Sequence, residues 1–156
     1  MRCLALDVGE RRTGVAIGER IARPLTTLKR RSKAEDFGRI ANLIREHGVK
    51  KLVVGLPLNM DGSRGAQARR VTRYAGRMAD ALAEMGLDVE LVFWDERLTT
   101  EAASHILRGR SSTRSSRGQS VDAVAAAVIL QSYLDHALDP ARDIARDSSC
   151  DVAVET

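Results

Sequence analysis

Apolar positions along this chain follow two different periods, and the switch between them outlines the fold. Residues 2 to 18, RCLALDVGERRTGVAIG, hold two short apolar runs, Leu4 to Leu6 and Val15 to Ile17, separated by Gly9, charged residues and Gly14. That pattern reads as strand, tight turn, strand. Residues 22 to 28 (ARPLTTL) read as a third strand, with Pro24 at an edge or a strand start because proline cannot donate to a ladder. Three strands on short connections imply an antiparallel meander. Phe37, Ile40, Ala41, Leu43 and Ile44 then recur at helical spacing between Ala34 and His47, behind Ser32 as a candidate N-cap and ahead of Gly48 as a stop. The unbroken apolar run of KKLVVGLPL suits a parallel strand buried on both faces.

Past the polar loop PLNMDGSRG, a helix is predicted from about Ala66 to Met85, with Val71, Tyr74, Ala75, Met78, Leu82 and Met85 on its core side. Val89 to Trp94 is the last strand. Thr99 or Thr100 can cap a short helix through Leu107, and residues 108 to 119, RGRSSTRSSRGQ, contain no apolar residue and read as a basic loop. Ser120 caps a strongly apolar helix, Val121 to Leu134, which must be largely buried. The order predicts an α/β fold: a mixed five-stranded sheet, three antiparallel strands then parallel ones, flanked by helices. One domain over residues 1 to 138 and a poorly ordered polar tail over 139 to 156 complete the expectation.

Composition sharpens this in two places. A chain of 156 residues that is 44% hydrophobic can bury a core without staples, and Cys3 and Cys150 offer neither a disulfide framework nor metal-ligand spacing. No apolar run reaches about 18 residues and the first residues lack a secretory pattern, so no membrane partner and a cytoplasmic location are expected. The net charge is +4, but the last 18 residues carry five acids against two arginines, which leaves +7 on residues 1 to 138. A basic body suits a polyanionic partner, whose condensed counterions are released on binding.

Three acids stand at element ends: Asp7 closing the first strand, Glu96 after the last strand, and Asp122 in the first turn of the apolar helix. In open α/β sheets ligands gather at the carboxyl ends of strands, which puts Asp7 and Glu96 at one edge. Converging carboxylates without a Cys or His cluster suit a hard divalent cation, Mg²⁺ or Mn²⁺, and not zinc. Each acid also has a bland reading. Asp7 can cap its turn, Glu96 can pair with Arg97 or Arg12, and Asp122 can serve the helix dipole. Neighbours in an extended segment point to opposite faces, so only one of Asp95 and Glu96 should enter a site.

The motifs LALDVGERRTGVAIG, VVGLPLNMDGS at 53 to 63, DERLTT at 95 to 100 and VDAVAAAVILQSYLD at 121 to 135 resemble those of the YqgF/RuvX family in order and spacing. That family comprises RNase H-like proteins described as Holliday junction resolvase-like and as nucleases maturing the 5′ end of 16S ribosomal RNA. The resemblance implies an RNase H-like fold, hydrolysis of phosphodiester bonds, and metal binding by Asp7, Glu96 and Asp122. It departs from the usual pattern at Glu10, Arg11 and Arg12, and at Gln119 and Ser120 where lysine is common, so phosphate contact there falls to Arg114 or Arg117.

Candidate nucleic-acid contacts are Arg11 and Arg12 beside Asp7, Asn59 and Arg64 in the polar loop, Arg69, Arg73 and Arg77 with Arg70 beside them on the second long helix, and Arg110, Arg114 and Arg117 in the basic loop. A solvated helix face is the plain alternative for the helical arginines. Expected partners are branched DNA or a ribosomal RNA precursor, and symmetric junction cleavage would call for a homodimer. Two other classes stay open: a binding factor that does not cut, and a phosphate-binding ATPase or kinase module of actin-like type, whose hairpin DVGERRTGVA resembles.

Overall fold

The computed structural model describes residues 1–98 and 121–137. Strands β1 (Cys3–Val8), β2 (Arg12–Gly18) and β3 (Arg23–Lys29) lead into helix α1 (Lys33–His47), strand β4 (Lys51–Leu56), helix α2 (Ala66–Glu84) and strand β5 (Glu90–Asp95). A single 3₁₀ turn, Glu96–Leu98, follows β5, and the apolar helix α3 spans Val121–Ala137. The five strands form one sheet in the order β3-β2-β1-β4-β5, with β1, β2 and β3 antiparallel and β4 parallel to both β1 and β5. The predicted mixed sheet is therefore present; β1 is the central strand, and β4, expected to be central, lies between it and the edge strand β5. The short helix expected after Thr99, the basic loop of 108 to 119 and the tail of 139 to 156 lie outside the described residues.

Local chemistry accounts for the element ends. At the start of α1 the Ser32 hydroxyl accepts the Glu35 N–H at 3.2 Å, and at its end Gly48 takes φ +63, the left-handed conformation that closes a helix. Gly14, expected between the first two strands, is instead a residue of β2 opposite Asp7. The turn is shorter, and the Gly9 N–H closes it on the Arg12 carbonyl at 2.9 Å. Met85, expected on the core side of α2, is 40% exposed because the helix ends one residue earlier and Gly86 turns the chain away at φ +78.

The sheet carries side chains of different size on its two faces, because successive residues alternate. Leu4, Leu6, Val15, Ile17, Leu52 and Val54 face α1 and α2, packing with Phe37, Ile40, Val71, Met78 and Leu82. Cys3, Ala5, Ala16, Ala22 and Val53 face α3, whose own surface there includes Ala126 and Ala127. Small residues on both sides of that contact let a single helix lie close to the sheet. That closeness places the first turn of α3 against the ends of β1 and β2.

Candidate active site

Asp7 is the next α3-facing residue of β1 after Cys3 and Ala5. Its cross-strand partner is Gly14, and a Cβ built on Gly14 would lie 1.8 Å from the backbone oxygen of Asp122. The first turn of α3 thus rests directly on the glycine backbone beside Asp7. On the other flank, Gly55 follows Val54, the partner of Leu6, and a Cβ on it would lie 2.7 Å from Glu96 Oε1 and 2.5 Å from Ile129 Cδ1. The two glycines bracket Asp7 in the sheet, and each makes room for one of the other acids.

Charge follows this geometry. Burial, and then the Asp122 carboxylate, raise Asp7 above the ordinary aspartate range. Burial, and then Asp7 and Asp95, push Glu96 up to about 7. Asp7 is therefore crowded by one acid on each side. Arg12 lies 3.6 Å from Asp122 as an exposed ion pair. Among the described residues no three His, Cys, Asp or Glu side chains are gathered into a ready-made cage for one ion. The arrangement is instead two acid pairs sharing Asp7, with Asp122 acting on it from one flank and Glu96 lying on the other. Hard oxygen donors that lose stability by facing one another fit a divalent cation, which would relieve that repulsion.

Asp95 turns out of the cluster. Its carboxylate accepts the Arg97 backbone N–H at 2.9 Å and the Arg97 guanidinium at 2.6 to 3.0 Å. Burial raises it, but those hydrogen bonds outweigh burial and hold it below the usual aspartate range. Arg97 also donates to the Met60 carbonyl at 3.2 Å, tying the loop after β4 to the turn that carries Glu96. Within that loop Asn59 Nδ2 donates to Ser63 Oγ, and Ser63 donates from its N–H and its hydroxyl to Asp61. Arg64 is exposed, and its carbonyl accepts a bond from Arg69 at 3.1 Å.

The helical arginines divide differently from the spacing of four that groups Arg69, Arg73 and Arg77. Seven residues of helix turn about 700°, so Arg70 and Arg77 lie within roughly 20° of each other. Arg70, Arg73 and Arg77 line one groove, on the α1 and α2 face of the sheet, while Arg69 bends back to Arg64. Arg11 and Arg12 are exposed beside the cluster; Arg110, Arg114 and Arg117 lie outside the described residues.

Several positioning residues carry weaker signals in the sequence. Ser132 accepts the Trp94 indole N–H at 3.0 Å and donates to the Leu98 carbonyl at 2.7 Å, so α3 holds the end of β5 and the turn bearing Glu96. Trp94 is a packing residue, edge-on to Tyr133 and His136. Gln131 accepts the Ala22 N–H at 2.8 Å and donates to the Arg20 carbonyl at 3.2 Å, fixing α3 over the β2–β3 connection. The available signal for Gly14 and Gly55 was glycine inside a strand, which marks close approach by another group.

Comparison with known proteins gives the family and the fold. Residues 1–136 match the family model RuvX, described as Holliday junction resolvase. A relative from Moorella thermoacetica, named "Putative pre-16S rRNA nuclease", is 46% identical over 138 residues, covering 86% of this chain and 95% of its own length. One of the same name from Anaeromyxobacter sp. (strain K) is 49% identical over 139 residues, covering 86% and 97%. RuvC of T. thermophilus, in complex with Holliday junction substrate, superposes with a TM-score of 0.62 at 17% identity, over 88% of this chain and 94% of that one. Fowlpox virus resolvase, solved with Holliday junction DNA, gives 0.55 at 9% identity, over 89% and 100%. The fold is that of the RuvC-like, RNase H-type resolvases, and the chain belongs to the RuvX family.

Proposed function

We propose that this chain is a metal-dependent endonuclease that hydrolyses phosphodiester bonds in structured nucleic acid, with Asp7, Glu96 and Asp122 as its metal-holding and catalytic acids. The observation that carries the reading is the bracketing of Asp7 by Gly14 and Gly55, which brings Asp122 and Glu96 to it from opposite flanks. Family membership supplies the reaction class, and the names of its relatives supply two substrates to compare: four-way DNA junctions and the 16S rRNA precursor. Bound Mg²⁺ or Mn²⁺ would supply Lewis acidity toward the phosphoryl oxygens and a more acidic water.

The chain's own residues prepare that chemistry. Glu96 holds its proton up to about pH 7 and would have to be ionised to hold a cation, so binding there would be favoured as pH rises. Arg12, 3.6 Å from Asp122, serves as that acid's counter-charge and, being exposed, is placed to meet a substrate phosphate. Ser132 holds the turn that carries Glu96 from α3, and Arg97 within that turn ties it to the Met60 carbonyl of the loop after β4.

The test compares cleavage of a synthetic four-way junction and a 5′-extended 16S rRNA precursor, with Mg²⁺, Mn²⁺ or chelator, by wild type and Asp7→Asn. Metal-dependent cleavage that falls more than about a hundredfold in the variant, with its melting temperature retained, is expected, since even partners one step removed from a metal cost about 10- to 100-fold. Equal metal-dependent activity in the two proteins refutes the assignment.

A further inference from the structure

On the face of the sheet away from α3 lies a groove of about 250 Å³, walled by the start of α1 and by α2 and floored by Val8 and Gly9 at the end of β1. Arg30, Lys33, Arg70, Arg73 and Arg77 line it, with Glu10 as the one acid among its lining residues. Glu10 lies 3.9 Å from Arg70 in an exposed pair, which barely offsets the charge of five cations. Asp36, the nearby buried acid, is already engaged by Arg39 at 2.7 Å, the Arg31 N–H at 3.0 Å and the Tyr74 hydroxyl at 3.3 Å.

Arg30 is held in place rather than left to solvent. Its guanidinium carbon sits 4.4 Å above the Tyr74 ring, its Nη1 donates to the Gly9 carbonyl at 3.1 Å, and its Nε lies 4.0 Å from Asp36. An arginine fixed by stacking loses little freedom when it binds an anion. The groove's other cations extend along α2 from residue 70 to 77, roughly 10 Å at ~1.5 Å per residue. That length matches about three nucleotides of one strand at ~3.4 Å each, so a linear polyanion suits it better than a single phosphate. Tyr74, the ring beneath Arg30, has its exposed face taken, so no aromatic surface among the lining residues is left for a base.

We propose that this groove binds the phosphodiester backbone of a nucleic-acid strand, independently of base sequence, and so carries the substrate around the end of β1 from the acid cluster to the other face of the sheet. The inference rests on the nucleic-acid reading above. It adds Arg30 and Lys33 to the contacts and assigns the groove's cations to backbone, not base, recognition.

The experiment measures junction and single-stranded RNA binding by fluorescence anisotropy in chelator, over a range of salt, for wild type and three variants. Lys33→Ala with Arg73→Ala removes one cation from each wall; Arg20→Ala with Arg45→Ala removes two exposed arginines elsewhere; Asp7→Asn alters the acid cluster. The groove variant is expected to lose several-fold in affinity and to lower the slope of log K against log salt by about 1.4 to 1.8, for two contacts at ~0.7 to ~0.9 each. The Arg20 and Arg45 pair keeps the wild-type slope. Equal losses in both paired variants, or none in the groove variant, overturn the proposal. So does calorimetric saturation of the groove by inorganic phosphate without competition against the strand, which marks a free-anion site. Absence of cleavage by wild type, with the slope change intact, counts against the nuclease reading alone.

Discussion

Replacing Glu96 by glutamine should stabilise the metal-free protein, increasingly as pH rises from about 4.5 and in full above about 7. Glu96 sits over Gly55 with Asp7 and Asp95 nearby, and its proton is held up to about 7 against an ordinary value of 4.5. The folded chain therefore binds more protons than the unfolded chain between those limits, and stability through this group falls as pH rises across them. The destabilisation is absent below about 4.5 and complete above about 7. At ~1.4 kcal/mol per pH unit the gap sets a ceiling of about 3 kcal/mol, which solvent screening of a half-exposed carboxylate reduces to about 1 to 2 kcal/mol. For a chain of this length that is about 3 to 6 °C in Tm. Thermal melts of wild type and Glu96→Gln in chelator at pH 4.5 and pH 8.5 read it directly. The variant should melt higher at pH 8.5 and level with wild type at pH 4.5. Adding Mg²⁺ at pH 8.5 should raise wild type more than the variant, because a cation that binds only the folded chain stabilises it. No advantage at pH 8.5, or the same advantage at both pH values, would show that burial and the neighbouring acids do not raise Glu96.

Other substitutions test the scaffold. Gly14→Ala sets a methyl group against the Asp122 backbone, which cannot rotate away, and should cost about 3 kcal/mol or more in urea denaturation. Gly55→Ala meets the movable Glu96 and Ile129 side chains, so it should cost less, about 1 to 3 kcal/mol, while lowering cleavage by displacing Glu96. Ser132→Ala leaves the Trp94 indole N–H and the Leu98 carbonyl without their partner and should cost about 1 to 3 kcal/mol, with a change in Trp94 fluorescence as the spectroscopic readout.

Where the sequence was a good guide, the deciding chemistry was local. Ser32 and Gly48 cap α1 because a hydroxyl and a left-handed glycine act within one turn, and the uninterrupted LVVGL is an interior, parallel strand covered on both faces. Asp7, Glu96 and Asp122 could be singled out because each stands at an element end, where a strand or helix delivers a side chain to an edge. What periodicity does not contain is which element lies opposite another. Gly14 looked like punctuation until the Asp122 backbone was found against it. Nothing in the sequence pattern marks Arg30 and Lys33, because only packing of α1 beside α2 aligns them with Arg70, Arg73 and Arg77. Asp95 and Glu96 were separable by alternation in principle, and the Arg97 side chain completes the separation by engaging Asp95.

The alternation of side chains along β1 has a consequence for how this protein can change over evolutionary time. Asp7 belongs to the α3 face while its neighbour Val8 floors the groove on the other. Which face a residue serves is set by whether its number in the strand is odd or even. Substitutions leave that parity alone, but a one-residue insertion or deletion within Cys3–Val8 inverts it, carrying Asp7 into the hydrophobic layer. A change of composition there costs packing at one position, whereas a change of length costs the whole face assignment at once.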